Sequence, residues 1–143
     1  MYRRNPIMLV EDDVEDCEII LSALAELGVE NEVICFRNGK DALDYLRRKD
    51  VQTFLILSDI NMPVMNGLEF KEKIDEDFEL KNRCIPFVFL STSARPKEVR
   101  KAFELTAQGY FRKSSDFNSL KNCLQNMINY WLGSLHPNAL AIE

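Results

Sequence analysis

The chain has few of the residues that build soft-metal sites. It contains one histidine, His136, and four cysteines, Cys17, Cys35, Cys84 and Cys123, and no two of these cysteines form a CxxC pair. A structural zinc site needs cysteine and histidine ligands at close spacing, so the sequence excludes a zinc domain. The cysteines have apolar neighbours, and we interpret them as small residues of the hydrophobic core.

Long apolar segments are also missing. No part of the sequence approaches the roughly 20 apolar residues that a membrane-spanning helix requires. Residues 1–6 include two arginines, but only four apolar residues follow before Glu11. A signal peptide needs a longer apolar region, so we expect a cytoplasmic protein that makes no contact with a membrane.

An excess of basic residues is absent as well. The net charge is −5 at pH 7, whereas a general nucleic-acid binder needs a basic face, so we expect no nucleic-acid partner. The 143 residues, of which 46% are hydrophobic and 29% charged, are ordinary for one globular domain. We therefore predict a single domain over residues 1–143, with a core at about residues 5–132 and a C-terminal tail at 133–143.

What the chain does contain is a strict alternation of apolar and amphipathic segments. The apolar segments lack polar alternation, which is typical of strands buried on both faces of a parallel sheet. The sequence therefore predicts an α/β fold with a doubly wound, five-stranded parallel sheet. We expect strands at residues 7–10, 32–36, 54–58, 87–90 and 110–111, and helices at about 14–27, 40–49, 68–74, 96–106 and 116–132. The polar segment 75–83 either extends the third helix or forms a surface loop.

Polar residues follow four of these strands. They are Glu11 and Asp12 after the first strand, Asp59 after the third, Ser91 after the fourth and Lys113 after the fifth. Taken alone, Asp59 could simply cap a turn. Parallel strands, however, bring their carboxyl ends to one edge of the sheet, where ligands bind in such folds. We therefore expect these residues to form one site.

The chemistry of this set of residues is coherent. Three carboxylates at close range repel one another unless a cation lies between them, and all-oxygen ligands favour Mg²⁺, with Mn²⁺ as an alternative. An oxygen of Asp59 could then attack phosphorus. Lys113 and the hydroxyl of Ser91 could each bind an oxygen of the phosphoryl group.

These residues lie in motifs that resemble the receiver domain of two-component response regulators over about residues 5–132. The matching motifs are LVEDD at residues 9–13, SDINMP at 58–63, NG at 66–67, FLST at 89–92 and GYFRK at 109–113. The resemblance implies a flavodoxin-like (βα)5 fold with the strand order 2-1-3-4-5.

The resemblance also implies a role for each matching residue. Asp59 corresponds to the phosphoacceptor, and Glu11 and Asp12 correspond to the metal-binding pair, Glu11 acting largely through a water molecule. Asn61 corresponds to the residue whose backbone carbonyl binds the metal. The matches for the switch hydroxyl, the switch aromatic and the invariant lysine are Ser91, Tyr110 and Lys113.

The sequence departs from the family in two places. The segment between Asp59 and Ser91 is slightly long, and the extra residues fit best in the polar stretch 75–83. Ser114 follows Lys113 where the family usually has a proline after a cis bond, and we expect a trans bond because a cis bond before a non-proline residue costs about 3 kcal/mol. The sequence looks most similar to the stand-alone, single-domain regulators associated with bacterial phytochromes.

The resemblance implies a signalling switch rather than a metabolic enzyme. A sensor histidine kinase would phosphorylate it, and its output would be a protein contact or onward transfer to a histidine phosphotransfer protein, without a DNA-binding output domain. We expect a homodimer through the fourth helix, fifth strand and fifth helix of the prediction, residues 96–132. Two alternatives are a phosphatase of the haloacid dehalogenase type, which would need an aspartate at Asn61, and a scaffold that is never phosphorylated.

Overall fold

The computed structural model describes residues 2–140 and contains one sheet of five parallel strands. The strand order is β2-β1-β3-β4-β5, which confirms the predicted fold class and topology. The strands span Ile7–Val10 (β1), Val33–Phe36 (β2), Leu55–Ser58 (β3), Phe87–Ser91 (β4) and Gly109–Arg112 (β5). The helices span Val14–Glu26 (α1), Gly39–Leu46 (α2), Gly67–Glu76 (α3), Phe78–Asn82 (α4), Pro96–Glu104 (α5) and Phe117–Gly133 (α6).

Side chains from alternate strand positions enter two separate hydrophobic cores. On one face of the sheet, Met8, Ile56 and Phe87 pack with residues of α2, α3, α4 and α5. On the other face, Leu9 and Leu57 pack with residues of α1 and α6. Both faces of the central strands are therefore buried, which explains why these segments show no polar alternation in the sequence.

The polar segment after the third helix forms a short separate helix, α4, that the sequence left open. The break lies at Asp77, whose side chain accepts a hydrogen bond from the backbone N–H of Leu80 at 3.1 Å and so caps α4. An aspartate cap competes with continuation of the preceding helix. Leu80 joins the core, whereas Phe78 is 80% exposed.

Chain segments near both termini pack together at the amino-terminal edge of the sheet. His136 is buried, and its ring stacks on that of Tyr2 with a centroid separation of 4.1 Å. His136 Nε2 donates to the carbonyl of Cys84 at 2.6 Å, because Nδ1 accepts the backbone N–H of Asn138 at 3.0 Å. The segment after α6 is thus anchored, although its sequence shows no periodic pattern.

The structure also tests the expectations for the peptide bond after Lys113 and for the four cysteines. The peptide bond between Lys113 and Ser114 is trans, as predicted. Cys35 and Cys84 are exposed, so our interpretation of all four cysteines as core residues is wrong for these two. In the described part of the chain, no helix combines the length and apolar composition needed to cross a membrane.

Candidate functional site

The carboxyl ends of four strands meet at one edge of the sheet. Val10 pairs with Ser58 in the register of β1 and β3, and Ser91 pairs with Arg112 in that of β4 and β5. The residue after each of β1, β3 and β5 therefore lies at this edge. The structure brings Glu11, Asp59 and Lys113 together there, beside Ser91, as the sequence predicts.

Three carboxylates form a compact group at this edge. Glu11, Asp12 and Asp59 each place a carboxylate oxygen within 4.8 Å of the other two. Glu11 is 2% exposed and Asp59 is 8% exposed. Like charges held this close and away from water repel strongly unless a cation offsets them, and an all-oxygen set suits a hard divalent cation. The residues present therefore fit Mg²⁺ or Mn²⁺.

Backbone contacts fix the two buried acids. The N–H of Glu11 donates to the carbonyl of Phe36 at 2.9 Å, and the N–H of Asp59 donates to the carbonyl of Val10 at 2.9 Å. Asp59 Oδ1 accepts the backbone N–H of Ile60 at 2.7 Å, which leaves Oδ2 directed at Lys113. Both acids are therefore held in place before any ligand binds.

The glycine after Asn66 allows the loop that follows Asp59 to pack tightly. The N–H of Gly67 donates to the carbonyl of Ile60 at 2.8 Å. A Cβ atom at Gly67 would lie only 2.0 Å from the carbonyl oxygen of Asp59. No other residue fits without moving the backbone of the site, so the glycine helps to position Asp59. Asn61 lies in the same loop and is exposed.

Lys113 is the cationic centre of the site. Its backbone N–H donates to the carbonyl of Ser91 at 2.8 Å. Its ammonium group, Nζ, lies 3.0 Å from Asp59 Oδ2 and 3.0 Å from Asp16 Oδ2, and it also contacts Glu11. The side chain is 7% exposed, so the contacts are sheltered from solvent.

The electrostatics reflect an excess of negative charge. Burial raises the pKa of Glu11 to about 7 and the charge of Asp59 adds to the rise, although Lys113 opposes it. Burial lowers the pKa of Lys113, but the contacts with Glu11, Asp59 and Asp16 outweigh it and leave that pKa above its usual value. Lys113 therefore stays charged at neutral pH, while Glu11 takes up a proton more readily than an ordinary glutamate does. A divalent cation would favour ionised Glu11.

Asp16 is a member of the site that the sequence analysis missed. It lies in the first turn of α1, where an acid is expected simply because it favours the helix dipole. Nothing in its spacing separates it from its neighbour Glu15. Its proximity to Lys113 depends on how α1 packs against α6 on one face of the sheet, which only the folded structure shows.

Ser91 and Tyr110, the predicted switch residues, are both bonded to Ser93. Ser91 is fully buried, and its hydroxyl oxygen accepts the backbone N–H of Ser93 at 3.2 Å. The Tyr110 hydroxyl donates to the carbonyl of Ser93 at 2.7 Å. The half-buried ring of Tyr110 lies 6.0 Å from that of Phe89. The loop between β4 and α5 thus connects the two residues.

Comparison with known proteins identifies the family. Residues 7–125 match the response regulator receiver domain. The chain belongs to this family. The probable methanogenesis regulatory protein FilR2 of Methanothrix harundinacea is 33% identical over 131 residues, which cover 89% of this chain and 83% of FilR2. The response regulator Rcp1 of Synechocystis sp. is 30% identical over 131 residues, which cover 88% of this chain and 88% of Rcp1.

Solved structures extend the similarity to the phytochrome-associated members of the family. The phosphorylated cyanobacterial phytochrome response regulator RcpA is 33% identical with a TM-score of 0.83, covering 93% of this chain and 97% of RcpA. The Mn²⁺-bound form of Rcp1 is 29% identical with a TM-score of 0.80, covering 92% of this chain and 97% of Rcp1. This confirms the resemblance that the sequence indicated.

Family membership settles the class of function. Receiver domains are switches of two-component signalling, phosphorylated by sensor histidine kinases, and they bind Mg²⁺ or Mn²⁺ at an acidic site. This chain is therefore a receiver domain of phosphorelay signalling, and its family is one of signalling switches rather than of metabolic enzymes. The alternative of a phosphatase of the haloacid dehalogenase type is set aside.

Proposed function

We propose that Asp59 is the phosphoacceptor. The observation that carries this proposal is the position of Asp59 Oδ2, 3.0 Å from Lys113 Nζ and within the group formed with Glu11 and Asp12. In the step, a carboxylate oxygen of Asp59 bonds to phosphorus, and the bond from phosphorus to the donor histidine nitrogen breaks. The histidine keeps that electron pair, and water later hydrolyses the aspartyl phosphate.

The other residues of the site support this transfer. Glu11, Asp12, Asp59 and the carbonyl of Asn61 would hold the divalent cation. When bound, the cation offsets the negative charge of the phosphoryl group. Lys113 provides a fixed positive charge for one phosphoryl oxygen, and the hydroxyl of Ser91 donates to another.

A mass measurement tests the assignment. The protein is treated with acetyl phosphate and Mg²⁺, and one phosphoryl group per chain is expected in the intact mass. The Asp59→Asn variant should gain none. A full-occupancy adduct on the variant would contradict the choice of Asp59. No adduct on the unmodified protein would favour the alternative of a scaffold that works without phosphorylation.

The contacts of Ser93 suggest how phosphorylation changes the surface. A phosphoryl group on Asp59 draws the hydroxyl of Ser91 toward it, which removes the acceptor of the Ser93 N–H. The loop then shifts, and with it the carbonyl that holds the Tyr110 hydroxyl. Tyr110 is free to turn inward toward the space beneath β4, and the surface of α5, β5 and α6 changes.

That surface is the proposed dimer interface. Phe103 on α5 is 54% exposed and Phe111 on β5 is 37% exposed, and large exposed apolar side chains favour protein contacts. Phe117 and Trp131, which lie within the expected range 96–132, instead pack against the core formed with α1 and α6. We therefore assign the interface to Phe103 and Phe111, strengthened on phosphorylation.

The partners follow from the chemistry of the site. The phosphodonor is a sensor histidine kinase, and a histidine phosphotransfer protein is a candidate acceptor in a relay. The cytoplasm is the expected location, because a kinase that uses ATP works there. Transfer from acetyl phosphate without a kinase, and loss of the phosphoryl group without a phosphatase, would show that the chain catalyses both steps itself.

A further inference from the structure

The first turn of α1 leaves one acidic side chain free of the usual helix-capping contacts. Asp13 is the N-cap, and its side chain accepts the backbone N–H of Asp16 at 2.9 Å. In a reciprocal capping box, the side chain three residues later accepts the N-cap N–H in return. Here that N–H donates to Glu11 Oε2 at 3.1 Å instead. The carboxylate of Asp16 is therefore available for another partner.

That partner is Lys113. Asp16 Oδ2 lies 3.0 Å from Lys113 Nζ, and the side chain of Asp16 is 34% exposed. An ammonium group has three N–H donors, and three carboxylates surround this one, from Glu11, Asp16 and Asp59. Each of the three N–H donors of Lys113 therefore has a carboxylate to bind.

The three carboxylates differ in what else they do. Glu11 and Asp59 belong to the group of acids that fits a divalent cation, together with Asp12, whereas Asp16 does not. Asp59 also gives up its free carboxylate when it is phosphorylated. Asp16 is therefore the contact of Lys113 that neither the cation nor the chemical step takes away.

We propose that Asp16 is a positioning residue that orients the ammonium group of Lys113 toward the phosphoryl oxygen. With one donor held by Asp16, the ammonium group stays directed at the place now occupied by Asp59 Oδ2, where a phosphoryl oxygen arrives. The inference rests on the proposed roles of Asp59 and Lys113. It assigns no contact between Asp16 and the phosphoryl group or the cation.

The test is the rate of phosphorylation by acetyl phosphate at saturating donor and Mg²⁺, followed by intact mass. Asp16→Ala removes the acceptor and should lower this rate about tenfold, the effect of losing one charge-assisted hydrogen bond. Asp16→Asn keeps an acceptor oxygen and should stay within about threefold of the unmodified protein. Glu15→Ala is the matched control, since Glu15 is an exposed acid of the same helical turn, and it should have no effect.

Two further readouts separate positioning from a structural role. The affinity for Mg²⁺, measured by calorimetry without phosphodonor, should be unchanged in Asp16→Ala. In a double-mutant cycle, Asp16→Ala should add no further slowing once Lys113 is Ala, because the two residues act through one contact. A rate for Asp16→Ala equal to or above that of the unmodified protein would overturn the inference, as would equal slowing in the Lys113→Ala background.

The same experiment keeps this inference distinct from the proposed function. If Asp59→Asn still gains a full phosphoryl adduct, the proposed function fails. If Asp59→Asn blocks the adduct while Asp16→Ala reacts at the normal rate, only the role of Asp16 is wrong.

Discussion

Four carboxylates lie around one ammonium group at the carboxyl edge of the sheet. Glu11, Asp16 and Asp59 contact Lys113, and Asp12 completes the group with Glu11 and Asp59. One lysine cannot offset four negative charges. The excess is relieved either by a bound divalent cation or by a proton on Glu11, whose pKa burial raises to about 7. Metal and proton therefore compete at this residue.

This competition predicts a pH-dependent affinity for Mg²⁺. Below the pKa of Glu11 the carboxyl group is protonated and must lose its proton when the cation binds, so affinity falls as the pH falls. Between pH 8 and pH 6 the apparent affinity should drop about tenfold, which follows from a pKa near 7. Calorimetric titrations at several pH values measure this.

The Glu11→Gln variant is the control for that experiment. It should bind Mg²⁺ more weakly at pH 8, with little further loss down to pH 6. An affinity for the unmodified protein that stays constant over this range would show that Glu11 remains ionised without metal. An equally steep dependence in Glu11→Gln would assign the titrating group to another residue.

At the residue level, the sequence predicted which side chains would meet, but not all of their contacts. The meeting of four side chains could be predicted because each follows or ends a strand, and parallel strands align their carboxyl ends; these are Glu11, Asp59, Ser91 and Lys113. The contact of Asp16 with Lys113 could not be predicted, because it depends on the packing of α1. The bonds from both Ser91 and Tyr110 to Ser93 also depend on a loop conformation that no sequence pattern specifies.

At the scale of elements, the turn from β3 into α3 controls the placement of Asp59. We predict that Gly67→Ala destabilises the protein by about 1–3 kcal/mol, as overpacking usually does, because the new Cβ would lie 2.0 Å from the Asp59 carbonyl oxygen. Phosphorylation by acetyl phosphate should slow as well. Urea unfolding and the intact-mass assay measure the two effects.

Gly133→Ala is the matched control for this substitution. Gly133 is the last residue of α6, and a Cβ there would meet no atom within 4 Å. Its replacement should be neutral or slightly stabilising, because alanine favours a helix more than glycine does. Equal stability of Gly67→Ala and Gly133→Ala would mean that the loop after β3 adapts more easily than the packing indicates.

A second prediction at the scale of elements concerns the segment after α6. His136→Ala removes the stacking on Tyr2 and the hydrogen bond to the Cys84 carbonyl, and should cost about 1–3 kcal/mol of unfolding free energy. Leu135→Ala, at a side chain that is 75% exposed, should cost less than about 0.5 kcal/mol. Phosphorylation should be normal in both, because this segment lies at the opposite edge of the sheet. A slowed reaction in His136→Ala would contradict that separation.

The elements themselves were largely predictable, and the exceptions have local causes. Five strands and five helices follow from uninterrupted apolar runs and helical spacing. The one additional helix, α4, was ambiguous because its polar residues suit a surface loop equally well. The cap at Asp77 begins this helix. The contacts of His136 with Tyr2 and Cys84 could not be predicted, because a single histidine in a segment without periodicity gives no sequence signal.

For the whole molecule, the remaining question is how phosphorylation changes association. A switch can shift a dimerisation equilibrium only by its differential affinity for the two states, typically a coupling of about 1–3 kcal/mol. The chain of contacts from Ser91 through Ser93 to Tyr110 connects the site to the surface that carries Phe103 and Phe111. We therefore expect beryllofluoride, a phosphoryl mimic, to strengthen dimerisation about 5- to 100-fold.

Sedimentation of three proteins, each with and without beryllofluoride and Mg²⁺, tests this expectation. Ser91→Ala should bind the mimic yet lose most of the increase in dimerisation, because the contact between Ser91 and Ser93, the first of the series, is missing. Phe103→Ser should dimerise more weakly in both states and keep the ratio between them, because Phe103 contributes to the interface and not to the coupling. A protein that stays monomeric at all concentrations in both states would contradict the dimer, and signalling would then depend on a different partner at this surface. A normal shift in Ser91→Ala would instead remove Ser91 from the coupling and leave the interface in place.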